Sequence, residues 1–302
     1  MNIETFAEIH LKASNPNRGL ILKFATLFLV AALTMPSVTC HAAAIAHWTF
    51  DESSGTMAND TVGAFNGTLS SSGSAFVSGG ISGNAISLSR AANGYVNMGN
   101  VLGLTSGNYS LVAWVKMNSN DTTADTIVLG KHQTFSNNGY FIAVNPTGGG
   151  GQVNKALFYE GTIAGAPIST TSVNDGAWHQ IVAVYQAGGS KSIYVDGSPS
   201  ESTQPSQVFI GNSASFLIGG TGIVPEGRYS GLIDEVQIYN SALSSSDINF
   251  LFQNPSQVVP EPEIATLLAI VAILFTILQS RKVKNCRKFA KPLHESFCNT
   301  LS

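Results

Sequence analysis

The stretch 178–197 constrains the fold more than any other part of the chain. Residues 181–185 and 193–195 are β-branched and aromatic runs, and Gln-Ala-Gly-Gly-Ser-Lys lies between them. This pattern predicts a β-hairpin with a glycine-containing loop. Asp196 and Gly197 supply a second turn, because glycine takes a positive φ at no steric cost. Two turns this close together favour an antiparallel meander over β-α-β units. The sequence therefore predicts an all-β protein.

Short strand-like runs recur through the middle of the chain and are bounded by Gly, Asn and Ser. This pattern is typical of an antiparallel β-sandwich. The composition agrees, because 30 of the 302 residues are glycine and only 11% are charged, which suits a turn-rich domain with a neutral polar surface. Besides the hairpin, strands are predicted at 45–50, 85–88, 95–98, 110–116, 127–129, 140–144, 157–159, 208–210, 216–218 and 232–239.

Charge and cysteine content limit the partners of this middle region. Residues 43–259 contain 13 acidic and 6 basic residues, a net charge of −7, and the remaining basic residues lie in the terminal segments. An acidic domain disfavours nucleic acid, whose phosphates need Lys and Arg, but is compatible with Ca²⁺ or neutral glycans. The three cysteines, Cys40, Cys286 and Cys298, lie outside the region. A disulfide framework therefore does not hold it together.

One short helix is predicted near the end of the region. Ser244 and Asp247 fit a capping box, with Ser244 as the N-cap. Ile248, Leu251 and Phe252 then share one face, and we expect this face to pack on the sandwich. Residues 253–259 follow as a linker.

The first 44 residues are typical of an export signal. Basic residues precede an apolar run at 24–35, and small residues follow up to residue 44. Cleavage after Ala42 or Ala44 would release a domain that begins near residue 45. The alternative is an uncleaved membrane anchor, although the apolar run is shorter than the ~20 residues needed to span a bilayer.

The other end of the chain carries a second hydrophobic segment. Pro260, Glu261 and Pro262 precede an unbroken apolar run at 264–278, and a basic cluster occupies 281–288. Such a run spans ~22 Å as a helix, against a hydrocarbon core of ~30 Å. This order resembles the PEP-CTERM sorting signal of Gram-negative bacteria, in which an exosortase is thought to cut near the Pro-Glu-Pro.

The resemblance identifies 260–302 as a sorting signal with a transmembrane helix at 264–280 and a basic tail. An ordinary C-terminal anchor is the alternative, because the chain continues past the basic cluster. The cluster would hold the C-terminus inside in either case. The C-terminal helix is expected to insert into the inner membrane, and the domain is therefore expected on the outer side of that membrane. After processing by an exosortase-type enzyme it would be at the cell surface or extracellular.

Several sequence groups follow one another in a recognisable order. They are His-Trp-Thr-Phe-Asp-Glu-Ser-Ser-Gly at 47–55, Ala-Trp-Val-Lys at 113–116, Trp-His at 178–179, Tyr-Val-Asp-Gly at 194–197, Gly-Leu-Ile-Asp-Glu-Val-Gln-Ile-Tyr-Asn at 231–240 and Ala-Leu-Ser at 242–244. The set resembles the laminin-G-like, concanavalin A-like jelly-roll family over residues 45–252. The resemblance implies an antiparallel jelly-roll β-sandwich. It does not select a ligand, because this fold hosts lectins, adhesion modules, glycosidases and structural domains.

The same resemblance implies a structural Ca²⁺, which several members of this superfamily hold in a loop linking the first and last strands. By that resemblance the candidate ligands are Asp51, Asp60, Asn66 and Asp234. Ca²⁺ takes roughly six to eight oxygen ligands, mostly carboxylates and carbonyls. The alternative is that these side chains satisfy backbone amides in turns.

Aromatic side chains are the natural candidates for stacking on sugar rings. Trp48, Trp114 and Trp178 each lie in or beside an apolar strand run, where aromatic residues fill a sandwich core, so we predict core positions for them. Better glycan candidates are aromatic residues expected in loops: Phe135, Tyr140 and Tyr229.

The residues that could support catalysis are scattered. His47, His132 and His179 lack metal-ligand spacing and are predicted to pack or to form hydrogen bonds. Asp234 and Glu235 are the nearest approach to the paired carboxylates of glycoside hydrolysis. Adjacent residues in a strand point to opposite faces, so these two should not line one cleft together. We therefore predict no catalytic residues and no enzymatic activity.

These observations predict an exported cell-surface or extracellular-matrix protein. Its laminin-G-like domain would bind carbohydrate, such as the exopolysaccharide of the producing cell or its biofilm, or would mediate adhesion. The alternatives are a structural or protein-interaction module without a glycan site and, less favoured, a glycan-active hydrolase on the same fold.

Overall fold

A computed structural model of the chain describes residues 42–119, 121–133, 138–145, 152–161, 165–201, 204–205, 211–221 and 227–260. The export segment up to residue 41, the predicted strand at 208–210 and the sorting signal beyond residue 260 lie outside these residues. Within the described ranges, no helix is long and apolar enough to cross a membrane.

The described residues form strands, a short 3₁₀ helix at Arg90–Ala92 and one α-helix, α1, at Ser245–Gln253. The strands are β1 Ala44–Trp48, β2 Met57–Ala58, β3 Gly67–Leu69, β4 Ser74–Ser78, β5 Asn84–Leu88, β6 Val96–Asn97, β7 Tyr109–Met117, β8 Thr126–Lys131, β9 Tyr140–Val144, β10 Lys155–Glu160, β11 Ile168–Ser172, β12 Trp178–Tyr185, β13 Ser190–Val195, β14 Ser198–Pro199, β15 Gln204–Pro205, β16 Leu217–Ile218 and β17 Gly231–Tyr239. The predicted all-β class is confirmed.

The strands form two antiparallel sheets that pack into a sandwich. The back sheet has the order β14-β13-β12-β7-β17-β5-β4, with β1 beside β17 and β15 beside β13. The front sheet has the order β11-β10-β9-β8-β16-β6-β3-β2. The arrangement is consistent with the expected jelly-roll. The sequence pattern missed β2, β3, β4, β11, β14 and β15, because these strands are short or rich in small polar residues.

The hairpin at 178–197 forms as predicted. β12 pairs with β13 through an unbroken antiparallel register from Ile181↔Val195 to Tyr185↔Lys191. Asp196 and Gly197 have φ values of 51° and 75°, and β14 follows them and pairs back on β13. Two successive positive φ values match the right-handed twist of the strands on either side of a tight turn.

The core lies between the two sheets and is filled by alternate residues of each strand. In β12, Ile181, Ala183 and Tyr185 belong to this core. Trp48 is fully buried there, stacks on Phe216 at a ring separation of 5.8 Å, and donates its indole N–H to a backbone carbonyl at 2.9 Å. The predicted core position of this tryptophan is confirmed.

The outer face of the back sheet is covered by α1 and the residues around it. Ser244 caps the helix by accepting a hydrogen bond from the Asp247 backbone N–H, and the Asp247 side chain accepts from the Ser244 N–H, which is the predicted capping box. Ile248 and Leu251 are buried against the back sheet. Phe252 stacks on Trp114 of β7 at 5.6 Å. The helix thus buries apolar surface that the sheet alone would expose to water.

The segments flanking the predicted domain also pack on the back sheet. The Gln237 side chain donates to the Gln257 carbonyl at 2.9 Å, and the Val259 N–H donates to the Tyr239 hydroxyl at 3.1 Å. Val259 and Ala42 are both buried in the same apolar cluster as α1. The stretch assigned as a linker is therefore fixed to the sheet up to residue 259, and Pro260 is exposed.

His179 holds the two ends of the central hairpin together. Its Nδ1 lies 2.8 Å from Asp196 Oδ2 in the turn after β13, and its Nε2 lies 3.0 Å from Asp175 Oδ1 before β12. Hydrogen bonding to Asp196 is the main reason that the pKa of His179 is raised, and Asp175 adds to the effect. His179 is thus a hydrogen-bonded structural residue, as predicted.

The change His179→Gln should make the stability of the domain less dependent on pH. Because the folded-state pKa of His179 is raised, its stabilising contribution is complete below the unfolded pKa of about 6.5 and is lost as the pH rises through the folded pKa. Urea denaturation should show a larger loss of unfolding free energy in the variant at about pH 5.5 than at about pH 9. An equal loss at both pH values would contradict this assignment.

Candidate functional site

Two of the predicted calcium ligands, Asp60 and Asn66, accept hydrogen bonds from backbone amides in and around one turn after β2. Asp60 Oδ1 accepts from the backbone N–H groups of His47, Val62 and Gly63, at 2.9–3.0 Å. Asp60 Oδ2 accepts from a fourth backbone amide, and Asn66 Oδ1 accepts from the Asp60 N–H. Both side chains therefore act as hydrogen-bond acceptors for backbone N–H groups of the turn and of β1.

The other two predicted ligands, Asp51 and Asp234, meet at the turn 80–84 between β4 and β5. Asp51 Oδ1 accepts from the Asn84 N–H at 2.8 Å, and Asp234 Oδ2 accepts from the Ser82 N–H at 3.3 Å. A Cβ atom on Gly80 would clash with Asp234 Oδ2 and with the Asn84 carbonyl oxygen. The glycine therefore lets these two oxygen atoms approach each other. Asp234 is fully buried, and desolvation raises its pKa to about 8.

A bulge in β17 places Glu235 beside this turn. The register of β17 against β7 shifts between Asp234 and Gln237, and Glu235 has a φ of 46°. Its Oε2 lies 2.5 Å from Nε2 of His47 in β1, and burial raises the pKa of Glu235. Strict alternation of faces, which the sequence argument assumed for Asp234 and Glu235, therefore fails here. Both carboxyl groups are nonetheless buried and do not open on a cleft.

This cluster suits a cation only in part. Asp51 and Asp234 supply carboxylate oxygens, the Asn84 carbonyl lies close by, and the buried Asp234 carboxyl has only backbone amides as hydrogen-bond donors. Hard cations such as Ca²⁺ favour this donor set. Among the residues that the structure describes, however, no group of three or more His, Cys, Asp or Glu side chains is arranged to hold a metal ion.

Most of the predicted sugar-stacking aromatics are unavailable for stacking. Tyr140 and Tyr229 are buried, and the Tyr140 hydroxyl donates to the Leu102 carbonyl at 2.7 Å. Their prediction as sugar-stacking residues was wrong, because both lie inside the core between the sheets. Tyr140 begins β9, whereas Tyr229 lies outside the strands as expected. Trp178, which was predicted to be a core residue, is instead only half-buried at the start of β12, and Phe135 lies outside the described residues.

The outer face of the front sheet, in contrast, carries a row of side chains that α1 does not cover. Cross-strand pairs connect Tyr159 to Phe141, Phe141 to Gly130, Gly130 to Leu217, and Leu217 to Asn97. The row therefore crosses β10, β9, β8, β16 and β6 in turn. Tyr159 and Phe141 stack in parallel at 4.5 Å. None of the five belongs to the core between the sheets.

A pocket of about 390 Å³ opens at the Leu217–Asn97 end of this row. This volume lies in the range of about 300–1,000 Å³ that is usual for small-molecule sites. We call it the front pocket; its lining includes Tyr95, Asn97, His132, Gln133, Leu217 and Arg228. The wall thus combines a half-exposed tyrosine and a leucine with amide, imidazole and guanidinium groups. Such a mixture can contact both the apolar C–H face and the hydroxyl groups of a sugar.

Arg228 is held rigidly in the wall of the front pocket. Its guanidinium carbon lies 4.4 Å from the centre of the Tyr95 ring, and its Nε donates to Asn93 Oδ1 at 2.9 Å. A Cβ atom on Gly220 would clash with Nη1, so the glycine leaves room for the guanidinium group. Arg228 is only 7% exposed, and Nη1 has no acceptor among the described residues.

His132 completes the opposite wall and is also incompletely bonded. Its ring makes edge contacts with Phe141 at 5.4 Å and with Tyr159 at 5.1 Å. Burial lowers the pKa of His132 to about 4, so the imidazole is neutral at neutral pH. Its Nε2 has no hydrogen-bond partner within the described part of the chain. A neutral imidazole in this position can donate to or accept from a hydroxyl group.

Two other concavities in the described part of the chain lack these features. One, of about 520 Å³, lies beside β10 and β11 and includes Lys155, whose amine already donates to the Thr170 carbonyl at 2.6 Å. Another, of about 430 Å³, includes Asp121, which pairs with Arg90 at 2.8 Å. The front pocket is thus the best candidate site. Sequence reasoning missed it, because its lining residues come from distant parts of the chain.

The fold resembles solved structures of carbohydrate-active and receptor-binding proteins. Domain 4 of AbnA, an extracellular arabinanase from Geobacillus stearothermophilus solved in complex with arabinotriose, is 23% identical with a TM-score of 0.55, covering 70% of this chain and 100% of that one. The binding domain of Paraclostridial Mosquitocidal Protein 1 is 15% identical with a TM-score of 0.52, covering 69% and 51% respectively.

A third similar structure is Trypanosoma rangeli sialidase in complex with the inhibitor DANA. It is 15% identical with a TM-score of 0.53, and the match covers 81% of this chain and 40% of the sialidase. This chain therefore corresponds to about half or less of the toxin and sialidase chains. At such identities the likeness shows the fold alone.

Comparison with curated proteins gives no match. Residues 90–249, however, match the family Laminin_G_3, described as the Concanavalin A-like lectin/glucanases superfamily. The match runs from the 3₁₀ helix into α1 and includes most of both sheets. Because it spans more than half of the 302 residues, the chain belongs to the Laminin_G_3 family of concanavalin A-like domains.

Proposed function

We propose that this domain binds carbohydrate in the front pocket and does not catalyse its cleavage. The observation that carries the proposal is the combination of Tyr95 and Leu217 with His132 Nε2 and Arg228 Nη1, two buried polar atoms without partners in the described chain. Such groups are satisfied when a ligand supplies hydroxyl oxygens. The binding of arabinotriose by a domain of the same fold supports the choice of a glycan.

The positions of the carboxylates favour binding over hydrolysis. Glycosidases place two carboxyl groups about 5–10 Å apart around the scissile bond. Among the described residues that line the front pocket there is no Asp or Glu. Asp234 and Glu235 are buried beside the turn 80–84 and bond to backbone amides and to His47. The pocket therefore offers hydrogen bonds and a cation to a sugar, but no acid–base pair.

Surface display fits the terminal sequences. The apolar run at 24–35 supports export, and Pro260, Glu261 and Pro262 before the run at 264–278 support a PEP-CTERM-type signal. The folded segment continues to Val259, whose backbone bonds to Tyr239, and Pro260 is exposed directly after it. A processing enzyme could therefore reach the motif without unfolding the sandwich. Polysaccharide outside the inner membrane would be the partner.

A Ca²⁺ ion at the turn 80–84 is part of this proposal. Asp51 and Asp234 would hold it together with backbone carbonyls such as that of Asn84, whereas Asp60 and Asn66 would remain turn residues. A divalent cation would offset the unfavourable burial of the Asp234 carboxylate. Its role would be structural, because it would tie the turn between β4 and β5 to the bulge of β17.

The first test measures retention of the full chain, purified in detergent, on immobilised arabinan, xylan, pectin and cellulose. Tyr95→Ala should lower retention on the polysaccharide that binds by about tenfold, the effect of losing roughly 1.4 kcal/mol of contact. Tyr194→Ala is the matched control, since Tyr194 is also half-buried but lies on the back sheet. Lack of retention on every polysaccharide, with and without Ca²⁺, would contradict carbohydrate binding and favour a protein-interaction module.

The calcium proposal is tested by thermal unfolding. At a concentration of about 100 times Kd, Ca²⁺ should stabilise the fold by about 2.7 kcal/mol, or roughly 5–10 °C in a domain of this size. Asp234→Asn should abolish the increase, and Asp175→Asn should retain it because Asp175 pairs with His179 elsewhere. A melting temperature that is indifferent to Ca²⁺ and to EDTA would remove Asp51 and Asp234 as ligands.

Processing is tested by the intact mass of the cell-associated protein in its natural host. Cleavage at the sorting motif should give a polypeptide that ends near Pro260. The change of Pro260, Glu261 and Pro262 together to alanine should leave the C-terminal segment attached, since the enzyme would lose its recognition motif. A wild-type mass that still includes Ser302 would instead support an ordinary membrane anchor.

A further inference from the structure

The wall of the front pocket contains a buried positive charge, and the residues that the structure describes do not neutralise it. Arg228 is buried, and its contacts are a tyrosine ring, a side-chain amide oxygen and the backbone at Gly220. Within the described ranges it has no carboxylate partner. Burying a charge without a counter-charge is strongly unfavourable, so its retention in a fixed position calls for a functional explanation.

The other charged groups around Arg228 do not supply that counter-charge. Arg90 donates to the Arg228 backbone carbonyl at 2.7 Å, and Asp121 is already paired with Arg90. Lys131, whose amine bonds to Asn100 Oδ1 and to the Ala214 carbonyl, adds a second cation near the pocket. The middle region of the chain is acidic overall, with 13 acidic against 6 basic residues. The front pocket is thus a cationic site in an acidic domain.

The geometry of the guanidinium group favours one kind of anion. Nε is engaged by Asn93, one face of the group lies over Tyr95, and Nη1 is buried against Gly220 without an acceptor among the described residues. Arg228 nonetheless lines the pocket. Arginine presents parallel N–H donors that match a carboxylate, and such charge-assisted hydrogen bonds are stronger than neutral ones. Around it, Asn97, Gln133 and His132 offer neutral donors and acceptors of the kind that sugar hydroxyl groups require.

We infer that the front pocket recognises an acidic sugar, a uronic acid whose carboxylate pairs with Arg228. This inference rests on the proposed function and specifies its ligand class. The neutral groups of the pocket orient the sugar ring, and Arg228 selects the carboxylate. Burial lowers the pKa of Arg228 but leaves the group charged at neutral pH, and the bound carboxylate compensates for the lost hydration.

The test compares two ligands that differ only in the carboxylate: trigalacturonic acid and its methyl ester. Isothermal titration with the full chain, at one fixed Ca²⁺ concentration, should show at least about tenfold tighter binding of the acid, as expected for a hydrogen bond between charged groups. The preference should decrease as NaCl is raised. Arg228→Gln should remove the preference, because it should weaken binding of the acid by at least about tenfold more than binding of the ester. Arg228→Lys should restore part of it.

Matched controls separate a specific effect from a change in overall charge or folding. Lys155→Gln removes a cation from the concavity beside β11 and should leave the preference intact. Binding of the ester reports folding, because an unfolded variant binds neither ligand. Thermal unfolding gives an independent check, since the acid should raise the melting temperature of wild type more than that of Arg228→Gln.

The outcomes distinguish this inference from the proposed function. Equal affinity for the acid and the ester overturns the acidic-sugar inference while the carbohydrate site survives. Binding to a neutral polysaccharide, together with a lack of affinity for trigalacturonate, likewise overturns the acidic-sugar inference and leaves the carbohydrate site in place. Tighter, Arg228-dependent binding of a sulfated galactan oligosaccharide would replace the carboxylate by a sulfate ester and overturn the uronic acid assignment. Lack of affinity for every glycan overturns both proposals together.

Discussion

The pairing of β17 in the middle of the back sheet is the constraint on which the rest of the structure depends. One edge of this strand pairs with β7. On its other edge, residues 231–233 pair with β5 and residues 236–239 pair with β1. The changeover falls at Asp234 and Glu235, where the register shifts. This single bulge lets two early strands share one edge of the last strand. It also turns two acidic residues toward the turn 80–84 and His47, so closure of the sheet and the position of the acid cluster have one cause.

The core between the sheets buries only their inner faces. The outer face of each sheet is therefore either covered by another part of the chain or exposed to solvent. The back sheet is covered by α1, with Phe252 stacked on Trp114, and by the chain up to Val259. That face is therefore closed by the protein itself. On the front sheet, Leu217 and Asn97 of the outward row line a concave surface with mixed polar and apolar groups. Exposed surfaces of this composition are typical of ligand sites on rigid scaffolds. The asymmetry between the faces is the structural reason to locate function on the front sheet.

The parts of the fold set by local sequence were predictable. The turn at Asp196-Gly197 needs residues that tolerate positive φ, and the capping box of Ser244 and Asp247 is a pairing between neighbours in the chain. The front pocket could not be derived in this way. Tyr95, His132 and Arg228 come from distant points of the chain and meet only through the order of the front sheet. Tyr140 was wrongly expected to be available for stacking for the same reason, because its ring packs against Tyr109 and Phe216, which are distant in the chain.

Lys191 and Arg228 are both buried cations, but they differ in whether a carboxylate of the described chain lies beside them. Lys191 of β13 is fully buried between the sheets, and its amine lies 3.6 Å from Glu160 of β10, which is also buried. That charge has its counter-charge within the protein, and exchanging the pair for apolar residues would be close to neutral for stability. Arg228 is buried to nearly the same degree, yet its surroundings are a tyrosine ring, an amide oxygen and a pocket. The first arrangement is complete among the described residues, whereas an anion would complete the second if the inference drawn above holds. The bound anion would then offset the cost of burying Arg228, and this cost would disfavour neutral ligands.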